Sequence, residues 1–588
     1  MVLVDKFTLY IDTLKRFTPM QFAYWVKNRY LHRFTVKSYP DCTKISFFQL
    51  DGRLKTIFCG LKKDPVWHYG VRGKKIAKNN YYQILIQELE RGIEQHDFKN
   101  LWKRVDPDPE MLNNFQRFYL FDRAFRELGI GNKIKLSIFE QWMLLFDTKK
   151  GRAWSGFNCA IRILNWLKIL YHINQSNLNN SEINQRAVIN RIQQSIFEQA
   201  LFNYNHIEYH IPGNHVLFQF ISLWFVFELW PEWGKQLGDK SVLENKLYEE
   251  IRKEFKSNGF HFELSTHYHL QATLFCLLWY DVNIRVYKTD SEEISNILVK
   301  ALHIIQDILL PDNTLPLAGD NCYPFWHASL EEDIDNVRAL ADYHFGLDIH
   351  EKKNTTREIK EDWLIFRNNQ QHVILDIGQI GLPANPGHGH ADKLNIIYSD
   401  AGQPLFIDPG TFLYSDDNAA LKYKKTIHHN TLSVNGNDQA CLWGFFRWAW
   451  LPSAVSYNFV GCNNSFHAHA QFKGYKHNDP VIHSREIYAK NGRLSIKDQV
   501  DGEGCHDIYL NFILHPDIHI RQDNDTILLS NKTDTWHFKF KGTHAIETTI
   551  ESILVYPAYN LETLSHKIVL SSLQTNFPVA LESHIIRH

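Results

Sequence analysis

The residues best equipped for chemistry lie in one stretch, from Pro386 to Gly436. His388 and His390 stand in a glycine-flanked HGH, Asp408 closes an apolar strand-like run, and His428 and His429 precede another alternating run. Imidazole and carboxylate suit a borderline ion such as zinc, so His390, Asp408 and either His428 or His429 form a candidate ligand set. His388, two positions from a proposed ligand, is held at the same mouth with its imidazole available for chemistry. The ligand spacing matches no short metal signature, and in a chain with 31 histidines chance clustering is the competing reading.

Two further groups fall in a helical context. HIPGNHVLF puts Asn214 and His215 after a Pro-Gly turn at the start of an apolar helix, and ELSTHYHLQ puts Tyr268 and His269 at the start of another. Helix N-termini favour an anion, and a substrate carboxylate would fit there. Helix capping by Asn214 and a half-buried Tyr268 are the structural alternatives.

These groups need two kinds of scaffold. From about residue 80 to 345 the periodicity is helical, with candidate helices at 81–95, 111–128, 135–146, 157–174, 185–203, 215–230, 241–257, 267–284, 291–310 and 330–345. Ser241 and Glu244 read as a capping box, and Pro231 ends the apolar helix at Trp230. Many helices of this length joined by short loops imply hairpins packed in a ring or stack. The polar segment 346–362 marks a boundary, beyond which His372–Gly378, Lys393–Ser399, Thr431–Gly436 and Arg485–Lys490 read as strands. Asn491-Gly492 is a type I′ hairpin signal, and the C-terminal part is expected to form stacked antiparallel sheets.

Composition sets outer bounds. With 588 residues, 44% hydrophobic and 22% charged, the chain reads as globular material of two or three domains. A net charge of −1 argues against a nucleic-acid partner. Local basic patches (Lys62, Lys63, Arg72, Lys74, Lys75 and Lys78; Lys422, Lys424 and Lys425) leave room for a polyanion. The 8 cysteines are scattered, and Cys276 reads as a buried hydrophobe. The first residues lack a signal-peptide core, which favours a cytoplasmic location with a periplasmic one as alternative. The run Val216–Trp230 is shorter than the ~20 residues of a membrane span. Residues 1–35 read as two short helices separated at Pro19. The second, basic and aromatic, could contact a membrane peripherally, although packing on the main domain competes.

The wording of GHGHADKLNI, LFIDPGTFLY and HHNTLSVNG closely resembles the heparinase II/III family of polysaccharide lyases, which includes heparin, heparan sulfate and alginate lyases. The NH pair at Asn214 and His215, the tyrosine at Tyr268, WSGFNCAIRILNWL with Arg162, Asn165 and Trp166, and LPDNTLPLAGDN add to the likeness. The resemblance implies an α+β multidomain fold: an N-terminal extension (1–60), an α/α toroid (61–350) and a β-sandwich (351–588), with the cleft between the last two. It also implies a structural divalent metal held by His390, Asp408 and His429, and an active-site role for His388.

The chemistry so implied is β-elimination at a uronic acid. The C5 proton cannot leave until the adjacent carboxylate is neutralised, a task for hydrogen bonds from Asn214 with His215 or His388. Such donors contribute on the order of 3 kcal/mol each. Tyr268 would protonate the departing O4 or act as base, His388 is the other candidate base, and Tyr414 is a further candidate. Arg162, Lys424 and Lys425 are candidate substrate contacts. Where relatives often carry Arg before HNT this chain has Lys424 and Lys425, which lack the bidentate fork. A glycoside hydrolase on the same toroid, using Glu263 and Asp320, and a non-catalytic glycan-binding protein are the rival functions.

Overall fold

The computed structural model describes residues 18–26, 53–54, 57, 80–103, 106, 108–175, 183–211, 213–288, 290–322, 329–382, 386–415, 418–462, 464–475, 481–523 and 526–588. The basic patch from Lys62 to Lys78 and most of the segment read at 1–35 lie outside them; a helix Pro19–Val26 is what is described there.

The helical part is an α/α toroid and the remainder antiparallel sheet. Its central helix, Asn214–Leu229, has almost every side chain buried, as a sequence apolar on most of its faces requires. It ends at Trp230 before Pro231, which cannot continue the ladder. Gly156–Gln175, Lys240–Glu254 and Thr266–Val282 surround it. Two local expectations are corrected. The cap of Lys240–Glu254 is Asp239, whose carboxylate accepts from Ser241 N, so Ser241 and Glu244 form no capping box. The run expected as one helix at 111–128 breaks into Pro109–Gln116 and Phe121–Glu127. Phe118 and Leu120 take left-handed backbone there, with φ of 56° and 59°. The break lets the Phe118 ring pack edge-on against Trp166, so tertiary aromatic packing overrides local propensity.

The β part begins with a five-stranded meander, Thr355–Ile359 through Gln403–Phe406. An eight-stranded and a four-stranded sheet follow, and one apolar core including Phe366, Phe406, Phe512 and Trp536 joins all three. Asn491 and Gly492 both have positive φ in the hairpin between Val481–Lys490 and Arg493–Asp501, as a type I′ turn demands. Arg485, fully buried, pairs with Asp498 and donates through Nη1 to the carbonyls of Leu394 and Asn430. One guanidinium thus fixes both the loop after His390 and the one after His429. No helix among the described residues is long and apolar enough to cross a membrane.

Candidate active site

His390, Asp408 and His429 come from three separate loops of the sandwich and are all buried, with one potential ligand atom from each lying within 4.8 Å of the others. Asn395 shapes the cluster: its amide donates to Asp408 Oδ2 at 2.8 Å while its oxygen accepts from Asn430 N at 3.0 Å. His429 Nδ1 lies 3.0 Å from Asp408 Oδ2, and its Nε2 has no partner among the described residues. His390 turns Nε2 to Asp320 at 3.0 Å, leaving Nδ1 without a partner among the described residues. Buried imidazole nitrogens are rarely orphaned, so this set fits a bound cation. His428 falls outside it, beside Tyr423, and burial pushes its imidazole down to about 3.

Asp320 is the hub between the metal candidates and the cavity. Its carboxylate meets His388 Nδ1 at 3.1 Å, His390 Nε2 at 3.0 Å and Lys424 Nζ at 2.8 Å. Lys424 also donates to the carbonyl of Gly387 at 2.6 Å. Burial alone would raise the Asp320 carboxyl, but Lys424 and the two histidines hold it well below the usual range. The loop carrying His388 is thereby fixed to both halves of the molecule.

A cavity of about 390 Å³ opens where toroid and sandwich meet, lined by Asn214, His215, Glu263, Tyr268, His388 and Tyr414 among others. Asn214 is the first residue of its helix rather than the cap; that place belongs to Gly213. Its amide nitrogen and oxygen have no partner among the described residues, although the residue is 1% exposed. Gly213 has a φ of 139°, and a Cβ there would stand 1.9 Å from Glu263 Oε1. His215 is oriented by Glu208, 2.6 Å from its Nδ1, and stacks on Phe157. Tyr268 lies in the first turn of the helix Thr266–Val282, capped by Ser265, whose hydroxyl accepts from Tyr268 N. Its hydroxyl lies 3.0 Å from that of Tyr414, and its ring centroid 4.2 Å from that of His388. Burial pushes both phenols well above their ordinary value, so both are neutral near pH 7.

The expected substrate contacts fare differently. Arg162 is not brought to the cavity. Its guanidinium is buried, donating to Gln199 Oε1 at 2.8 Å and to the carbonyls of Gln116 and Ala153, and lying over Trp142. Lys424 is a buried strut on Asp320, and Lys425 is exposed outside the cavity lining. Among the described residues, the guanidinium that does line the cavity is Arg117, which pairs with Glu110 and donates to Asn158. Nothing local in the sequence marks it, since it sits within the run that reads as continuous helix. Glu263 and Phe446 also line the cavity, the latter 43% exposed at its mouth.

Two family models match the chain: "Heparinase II/III N-terminus" over residues 144–341 and "Heparinase II/III-like, C-terminal" over 360–581, together more than half of it. A heparin-sulfate lyase of Bacteroides stercoris is 22% identical over 267 residues, covering 41% of this chain and 39% of that protein. The aligned part is thus about two-fifths of that relative. Among solved structures, heparinase III superposes with a TM-score of 0.69 at 14% identity, covering 98% of this chain and 91% of that one. A mutant heparan sulfate lyase from Pedobacter heparinus gives 0.60 at 16%, covering 92% and 88%. At these identities the structural likeness establishes the toroid-plus-sandwich fold.

Proposed function

Because the chain belongs to the heparinase II/III family of polysaccharide lyases, we propose that it cleaves a uronic-acid-containing glycan, of heparan sulfate or bacterial capsular type, by β-elimination. The observation that carries this reading is the Asn214 amide, buried with no partner among the described residues beside the Tyr268–Tyr414 pair and His388. A buried amide unsatisfied by protein is a site for a ligand's polar group. A uronate carboxylate accepts its N–H as charge builds during removal of the C5 proton.

Tyr268, neutral and hydrogen-bonded to Tyr414, is the acid that delivers a proton to O4 as the C4–O4 bond breaks. His388, with Nδ1 directed at Asp320, presents Nε2 toward the cavity as the base for C5. His390, Asp408 and His429 would hold a divalent cation, zinc by the match of imidazole and carboxylate, whose contribution is to stiffen the loop bearing His388. Hydrolysis on the same scaffold needs two carboxylates free to act across the bond, and Asp320 is engaged by Lys424, His388 and His390.

The test is ultraviolet absorbance of the unsaturated uronate while the protein meets heparan sulfate, heparin, chondroitin, hyaluronan, alginate and capsular glycans. A rise abolished by Tyr268→Phe is expected. New reducing ends without absorbance would mean hydrolysis, and binding without either product a non-catalytic protein.

A further inference from the structure

Glu263 is left without a role by the reading above, yet it faces the same cavity as Asn214. The residue is 6% exposed, and among the described residues Oε2 has no hydrogen-bond partner. Oε1 stands 3.8 Å from His388 Nε2 and Oε2 3.8 Å from His261 Nδ1, both beyond hydrogen-bond range. Among the described residues, Lys424 is engaged by Asp320 and Arg117 by Glu110. Behind it, His261 Nε2 meets Glu254 Oε2 at 2.9 Å in a pocket closed to solvent. An ionised carboxylate buried here without a paired cation is costly, whereas a protonated one needs only an acceptor. Gly213 keeps the space above Oε1 open, since any side chain there would strike it.

Resting on the elimination reading, we propose that Glu263 is a catalytic residue that enters the reaction as a carboxylic acid and donates its proton in a hydrogen bond to the uronate carboxylate, beside Asn214. As the base removes the C5 proton, the electron pair moves into the carboxylate, and the Glu263 proton shifts toward the uronate oxygen. When the C4–O4 bond breaks with proton delivery from Tyr268, the charge on the carboxylate falls and the proton returns to Glu263. Glu263 is therefore unchanged after turnover.

Among the described residues, five influences bear on its protonation most. Burial raises the carboxyl most, His388, His215 and the backbone N–H of Asn214 oppose that, and Asp320 adds to it. His261 stands behind it, with Glu254 beyond.

The experiment compares wild type, Glu263→Gln and Glu263→Ala on a glycan that the wild type cleaves, over a pH series. Gln keeps a donor of the same shape, so its kcat is expected within about fivefold of wild type, while Ala loses roughly 100-fold in kcat. Wild-type activity falls on the alkaline side as Glu263 ionises, and Gln lacks that limb. A Gln variant as inactive as Ala would make Glu263 a base and overturn the proposal, as would an Ala variant as fast as wild type. If Ala does not fold, the pH profile of Gln decides, because an unchanged alkaline limb also overturns it. Absence of elimination by the wild type on every uronate glycan would refute the elimination reading itself, a different result from any of these.

Discussion

The hydroxyls of Tyr268 and Tyr414 meet at 3.0 Å across the junction of toroid and sandwich, one from a helix N-terminus and the other from a sandwich loop. Tyr414 is itself held by its backbone N–H, which donates to the Tyr559 hydroxyl at 2.7 Å. Tyr268→Phe removes the proton donor and should lower kcat by about 10²–10⁴-fold. Tyr414→Phe removes only its partner, with a loss of roughly tenfold. Initial rates by absorbance, with circular dichroism showing unchanged secondary structure, check both.

Metal analysis distinguishes the two adjacent histidines. The purified protein should carry one equivalent of a divalent ion, retained in His428→Ala and absent in His429→Ala, because only His429 lies in the buried cluster. Chelation should lower the melting temperature, since ligand binding to the native state adds directly to its stability. Elemental analysis showing metal retained in His429→Ala would exclude this ligand set.

Lys424 and Asp320 are both fully buried and joined at 2.8 Å. Replacing Lys424 by Met leaves the Asp320 carboxylate without its cation, which should cost about 3–5 kcal/mol. The loop at Gly387 also loses its tie, so kcat should fall together with the denaturation midpoint. An unaltered urea midpoint would mean that the two histidines suffice to satisfy Asp320.

His267 and His269 are buried and neutral: burial pushes the first down to about 3 and the second to about 4. In the unfolded chain each returns to about 6.5, so the unfolded state binds more protons between these values. Stability contributed by the neutral rings is fully present above pH ~6.5 and is lost as pH falls toward the folded values, by about 1.4 kcal/mol per pH unit for each histidine. Urea titrations at stepped pH should show this slope, and His269→Gln should reduce it by about one proton.

Much of the architecture was legible in the chain itself, because helical periodicity and strand alternation are local signals. The helix at 330–345 was read at its observed bounds, and Asn491-Gly492 marked its hairpin. The grouping of His390 and Asp408 with one of the two later histidines was also readable, since imidazole and carboxylate recur in one stretch of the chain. Between His428 and His429 the residues alone left a choice. The family resemblance favoured His429, and only the folded loops, held by Asn395 and Arg485, showed which ring turns inward. Asp320, Arg117 and Glu263 acquire their relationships from contacts between segments far apart in sequence, which no local pattern encodes. Arg162 illustrates the converse: its motif marked it as a substrate contact, but in the toroid its donors close on Gln199 and backbone carbonyls. Residue order therefore determined which elements form and which groups could do chemistry. Tertiary packing decided which of those groups keep an unsatisfied atom facing the cavity, because satisfaction of buried polar groups depends on partners that only the folded chain supplies.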